Sequence, residues 1–238
     1  MGTSESLEVA AQLQSVVDKL LFNVKEARVL EAGCGSLSRL QLPEGAHVVG
    51  IDISELQLAR NTELHERVLG DIQSYQLPGC SFDLIVCWWV LEHLAEPRRA
   101  LANFVQALQD GGVIILVLPN SHSIKGLVTK LTPHWVHVWA YRYIFKVKDA
   151  GKADTAPFRT YHRFAVAPSA LKTFAHDHNL TVEYFRLFEA GWQRNLRVRL
   201  GLTNARWSVF KWLTSAATLG RISAEHTECA IILRKPQR

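Results

Sequence analysis

The chain has 238 residues, 48% of them hydrophobic and 21% charged, enough to bury a full core without disulfide or metal staples. No stretch reaches the ~18 apolar residues that cross a bilayer, and no basic segment precedes an apolar one at the N-terminus, so neither a spanning helix nor a signal peptide is expected. The net charge of +5 divides unevenly: residues 1–119 carry 8 Lys and Arg against 15 Asp and Glu, whereas residues 120–238 carry 19 against 7 and five of the seven tryptophans.

Taken in chain order, Leu7, Val9, Ala10, Leu13, Val16, Val17, Leu20 and Leu21 recur at helical spacing and predict a helix over residues 6–22. Arg28 to Ala32 reads as a strand running into a glycine turn, Gly33-Cys34-Gly35. His47 to Asp52 is a second strand, followed by a helix from Ser54 to Glu66, and Val68 to Asp71 is a short third strand. Phe82 to Cys87 is almost continuously apolar, as a strand buried on both faces should be. Pro97 opens a helix to about Leu108, Asp110-Gly111-Gly112 ends it, and Val113 to Leu118 is the fifth strand. Leu180 to Phe188 and Cys229 to Leu233 read as two more.

Strands alternating with helices in this way predict an α/β fold, a mostly parallel seven-stranded sheet with helices on both faces. The expected organisation is a single domain over 1–238: an N-terminal helix (1–24), a cofactor-binding half (25–120) and two substrate-side insertions (121–165 and 189–227). Segments that long outside the strand–helix rhythm tend to be functional. The four cysteines, Cys34, Cys80, Cys87 and Cys229, have no CxxC spacing and no matching histidine pattern. They are expected to be reduced thiols of a cytoplasmic protein, and no metal site is expected.

In open parallel sheets, ligands bind at the carboxyl ends of the strands. Gly33, Gly35, Asp52 and Asp71 all fall there. Asp52 follows Glu31 at the interval from which a carboxylate can take both hydroxyls of a ribose. Asp71 is placed to accept from an adenine amino group, with Ile53 and Ile72 expected to sandwich the flat base. The place where a dinucleotide loop needs a later glycine holds Leu37 and Ser38, so a nucleoside without a pyrophosphate is expected rather than NAD.

With "VLEAGCG" (29–35), "VVGIDIS" (48–54), "GDI" (70–72), "FDLIVCWWVLEHL" (82–94) and "LQDGGVIILVLPN" (108–120) in place, the chain resembles the class I S-adenosylmethionine-dependent methyltransferases. Within them it is most similar to the small-molecule, ubiquinone-type group (methyltransferase type 11). The resemblance covers roughly residues 25–120. It implies S-adenosyl-L-methionine as cofactor, with Gly33, Cys34 and Gly35 against its methionine part and Glu31 near its ammonium or ordering the loop. It further implies Asp52 on the ribose, Ile53 over the adenine, Asp71 and the Ile72 backbone at the adenine edge, the Cys87-Trp88 backbone at the methionine moiety, and His93 near the cofactor. The absent third glycine departs from the family pattern.

Residues that could take a proton from an acceptor are His93, His122, Tyr161 and His162, of which His93 is expected to be structural or near the cofactor, and none stands out. An Asn/Asp-Pro-Pro-aromatic stretch or a Pro-Cys nucleophile, as expected of enzymes acting on nucleic-acid bases, is absent. Residues 133–148 and 194–221 mix Trp135, Trp139, Trp207, Phe210 and Trp212 with arginine and lysine, a composition that suits either a lid over the active site with the aromatics as ordinary core or a membrane interface. The expected function is methyl transfer to a small or lipid-like acceptor, with peripheral contact to an anionic membrane surface. An RNA methyltransferase, another transferase using the same cofactor and a non-catalytic binding module are the alternatives.

Overall fold

The computed structural model describes residues 4–144, 146–152, 155–161 and 164–237. Seven strands form one sheet: β1 (Arg28–Ala32), β2 (His47–Asp52), β3 (Glu66–Leu69), β4 (Phe82–Trp88), β5 (Leu108–Pro119), β6 (Thr181–Phe188) and β7 (Glu228–Arg234). Their spatial order is β3-β2-β1-β4-β5-β7-β6. The first five pair in parallel, and β7 is inserted antiparallel to both β5 and β6. The chain reverses direction across the sheet between β1 and β4, so the carboxyl ends of those strands frame the crevice where such sheets bind ligands.

The two faces of the sheet are covered by different helices. On one, α1 (Ser4–Leu21) lays Val9, Leu13, Val17 and Leu21 over Val29, Leu84, Val86 and Ile115. The short α2 (Glu55–Arg60) packs Leu58 beside Val48 on that side. On the other, α3 (Pro97–Ala107) and α6 (Pro168–Asp177) bury Leu101, Phe104, Leu171 and Phe174 over Leu30, Ile85, Ile114 and Ile231. The strands that lie between two covered faces are thus apolar at nearly every position, whereas α1 is apolar on one stripe only.

Three predicted boundaries are corrected. The helix predicted to run from Ser54 to Glu66 stops at Arg60, and Asn61 turns the chain so that Glu66 can enter β3. β3 ends at Leu69, which leaves Asp71 two residues past the strand. β5 begins at Leu108 and contains Asp110-Gly111-Gly112. Gly111 takes φ +79°, and the register against β4 shifts between Phe82 and Leu84, so the glycines bend a strand instead of separating it from a helix.

The two insertions are helical: α4 (Ile124–Leu131) and α5 (His134–Tyr143) in the first, α7 (Gly191–Arg199) and α8 (Asn204–Ala217) in the second. α5 and α7 have no buried residue. Trp207 departs from the membrane-interface expectation: it is 7% exposed, stacked on Phe210 with the Arg197 guanidinium over its ring, as a core aromatic, while Trp212 is 68% exposed. Among the described residues no helix is long and apolar enough to cross a membrane.

Candidate active site

β1 delivers the chain to the glycine turn, and the amides of Gly33 and Cys34 donate back to the carbonyl of Ile51 in β2. Gly33 (φ +69°) and Gly35 (φ +55°) are both in the left-handed region. A Cβ on Gly33 would overlap the Val90 side chain, whereas one on Gly35 would meet nothing within 4 Å. Gly33 therefore lets the segment after β4 close on the loop, and Gly35 leaves bare backbone facing open space.

Asp52, the last residue of β2, fixes the loop. Its Oδ2 accepts from the Gly35 amide and its Oδ1 from the Ser54 amide, both at 2.9 Å. Each carboxylate oxygen keeps a further lone pair for a hydroxyl donor. Ile53 beside it is 77% exposed, an apolar surface at the strand tip. The buried Glu31 accepts from Ser38 Oγ at 2.8 Å. Burial pushes its carboxyl up, and the Ser38 bond opposes that shift. Ser38 thus has a task that a third glycine could not perform. Cys34 is no nucleophile: burial, then the nearby Asp52 and Glu31 charges, push its thiol up to about 12.

Asp71 caps the turn after β3. Its Oδ1 accepts from the Gln73 amide and Nε2, and its carbonyl accepts from Ser74 and Tyr75. The sandwich expected of Ile53 and Ile72 is not formed. Ile72 is 4% exposed and packs into the α3-side core, so only its backbone can face a ligand.

At the end of β4, Cys87 is buried against the α3 face with its thiol pushed up by burial. Trp88 packs towards the α1 face, and its buried Nε1 has no hydrogen-bond partner among the described residues. Trp89 takes φ +57° and swings its indole to donate to Glu228 Oε2 at 3.1 Å. Glu228, the buried first residue of β7, is also paired with Lys125 of α4. The 3-10 turn Leu91–His93 follows. There Glu92 is buried, and burial pushes its carboxyl up to about 8, opposed by a hydrogen bond from its own backbone amide, with Glu228 adding to the shift and Lys125 opposing it.

Residues 158–161 lie across that turn. His93 Nδ1 lies 2.8 Å from the Arg159 carbonyl, which can only accept, so this nitrogen carries the proton. Burial holds the imidazole below its usual range against that bond. Phe158 stands edge-on to the His93 ring, and the Tyr161 amide donates to the Glu92 carbonyl. Tyr161 and His93 are thus brought to one turn. His122 is tied elsewhere, its amide to Asn120 Oδ1 and its carbonyl to the Ser223 amide. His162 lies outside the described residues. The Glu92, Glu228 and Lys125 grouping was not visible in sequence, where Glu228 is one charge before an apolar run.

The methyltransferase-domain family matches residues 7–184, most of the chain. The chain belongs to that family, with the fold of class I S-adenosylmethionine-dependent methyltransferases. A ubiquinone biosynthesis O-methyltransferase of Coxiella burnetii is 27% identical over 166 residues, which cover 66% of this chain and 64% of the relative. One from Hahella chejuensis is 32% identical over 130 residues, 47% of this chain and 55% of the relative. The chain thus spans less than two thirds of the length of these relatives. Among solved structures, a SAM-dependent methyltransferase from Archaeoglobus fulgidus superposes with a TM-score of 0.52 at 19% identity, covering 95% of this chain and 94% of the other. The cyclase SpnF superposes at 0.54 with 14% identity, covering 95% and 82%. These two likenesses concern the fold, which hosts more than one chemistry.

Proposed function

We propose that the chain transfers a methyl group from S-adenosyl-L-methionine to a small, lipid-like acceptor. The observation that carries this reading is the clamp of Asp52 on the bare Gly35 backbone at the carboxyl end of β2. Membership of the methyltransferase-domain family supports it. Asp52 would hold the ribose, Ile53 would cover the adenine, and Asp71 with the Ile72 backbone would meet its edge. Gly33, Cys34, Gly35 and Glu31 would line the methionine part, with the Cys87-Trp88 backbone and His93 on its far side. When bound, the sulfonium supplies an activated methyl carbon. The protein then has to align the acceptor and exclude water. The lipid-like character of the acceptor is suggested by relatives named for ubiquinone biosynthesis. Calorimetry should show binding of S-adenosylmethionine and S-adenosylhomocysteine and none of NAD. Label from methyl-labelled cofactor should appear on components of a lipid and quinone extract. NAD binding without heat from either sulfur nucleoside would sink the reading.

We further propose a peripheral contact with anionic membrane. Trp135, Trp139 and Tyr143 of α5 and Trp212 and Leu213 of α8 are exposed, and the half of the chain that holds them is the basic one. Each Lys or Arg near an anionic surface contributes about 1 kcal/mol before screening, and exposed aromatics add an apolar part that salt does not screen. Flotation with anionic vesicles should therefore weaken with salt without vanishing. Equal flotation with neutral vesicles, or none at all, would rule the contact out.

A further inference from the structure

The glycine turn commits its own donors before any ligand arrives. The amides of Gly33 and Cys34 donate to the Ile51 carbonyl, the Gly35 amide to Asp52 Oδ2 and the Ser38 hydroxyl to Glu31. None of these groups is left for an anion, yet the cofactor proposed for the turn ends in an amino acid, with one carboxylate and one ammonium. A carboxylate that leaves water needs donors in return, and charged donors are the strong ones.

Two cations bear on the charge of the turn's buried groups, Arg39 on Glu31 and Arg67 on Cys34. Arg67 is already engaged: its Nε donates to the Leu58 carbonyl at 3.0 Å and its Nη2 to the Asn61 carbonyl at 2.7 Å. Lys125 is paired with the buried Glu228. Arg39 forms no hydrogen bond or ion pair through its guanidinium among the described residues, which instead lies 5.3 Å from the centroid of the Trp89 ring. Trp89 follows β4, and its indole is pinned by the bond to Glu228 Oε2. Arg39 thus reaches from the segment after the glycine turn to the end of β4. Those are the two walls proposed for the methionine part, and they meet where Val90 fills the space that Gly33 leaves. Arg39 and Trp89 are both exposed, so the charge is open to a ligand.

We infer that Arg39 binds the carboxylate of the cofactor's methionine part, with the Trp89 indole as the shelf that holds its guanidinium beside the glycine turn. This rests on the cofactor site proposed above. A guanidinium attracted to an aromatic face can keep its in-plane N–H donors, and two of them match the two oxygens of a carboxylate. Glu31 and Arg39 also set an acidic and a basic side chain at one turn, the pattern that suits a ligand carrying both charges.

The test is titration calorimetry on the full chain with two probes, S-adenosylhomocysteine and its decarboxylated analogue, in which an aminopropyl group replaces the amino acid end. The wild type should bind the first more tightly. Arg39→Ala should weaken S-adenosylhomocysteine about 10–100-fold, the scale of a charged hydrogen bond, and leave the analogue within a few-fold, which erases the preference. Arg39→Gln keeps part of the stem and drops the charge. It should show the same split, and it decides alone if the alanine variant does not fold. Equal weakening of both probes would make Arg39 a structural residue of the loop and overturn the inference, as would unchanged affinity for both. A wild type that binds the two probes equally also overturns it and leaves the cofactor site standing. A wild type that binds neither overturns the cofactor site itself, and the inference with it.

Discussion

β4 and α5 are both rich in apolar residues and end on opposite sides of the solvent boundary. β4 lies between β1 and β5 with a helix layer on each face, and Leu84, Ile85, Val86 and Cys87 are all buried. α5, with two tryptophans, two tyrosines and two valines, buries none of its residues. The same contrast holds for the two halves of the chain. Residues 1–119 are acidic and organised by backbone pairing, while the helices of the two insertions lie in the basic part of the chain and leave Trp135, Trp139, Trp192 and Trp212 in solvent. Apolar content alone therefore does not tell whether a residue holds the fold together or waits for something outside it.

The sharpest way to probe that comparison lies within α8, where both kinds of tryptophan occur. Trp207→Ala should cost about 3–5 kcal/mol of stability, as truncating a core aromatic does. Trp212→Ala should stay within about 0.5 kcal/mol while lowering the salt-resistant part of vesicle binding. Melting curves and flotation of the two variants give the ranking, and a reversed order would break the comparison.

The acidic half makes the next largest prediction. Asp52→Ala removes the acceptor of two amides and of the proposed ribose hydroxyls, and should weaken S-adenosylhomocysteine binding by about 2–4 kcal/mol. Asp71→Ala should cost less, since Gln73 already shares that carboxylate. Titration calorimetry measures both, and an unchanged affinity for Asp52→Ala would mean that the nucleoside sits elsewhere.

A smaller effect separates the two loop glycines. Gly33→Ala combines a left-handed backbone with overlap on Val90 and should cost about 1–3 kcal/mol by overpacking alone. Gly35→Ala faces open space and carries only the backbone term of about 1–2 kcal/mol. Its larger consequence should be on cofactor affinity, because the added methyl enters the proposed cradle. Equal melting temperatures with unequal affinities would show that Val90 gives way.

How much of this was legible in sequence follows from the kind of interaction involved. β1, β2 and β4 were readable because strands buried on both faces must be apolar throughout, and the glycine turn because few residues other than glycine adopt positive φ at low cost. The start of β5 is not legible because Asp110-Gly111-Gly112 reads locally as a break. It is held in the sheet by the Gly111 amide bonding to carbonyls of residues 235 and 236, far along the chain. Ser38 reads in sequence as a missing glycine because its bond to Glu31 joins positions seven apart through a turn that only the fold sets. Ile72 was placed on the ligand because strand alternation says nothing of a residue beyond the strand's end.

The sequence by itself determined the sheet, the acidic residues at its carboxyl edge and the charge division between the halves. Each of these is written in local periodicity, spacing or composition. Only the tertiary structure decided which carboxylates are clamped, shared or orphaned. Asp52 meets Gly35 from another strand, Glu228 reaches Trp89 across 139 positions of chain, and Glu92 is buried with one carboxyl oxygen that has no hydrogen-bond partner among the described residues. Burial and pairing depend on residues distant in sequence. A carboxylate's chemistry is fixed by those surroundings, because desolvation and neighbouring charge set where it holds its proton.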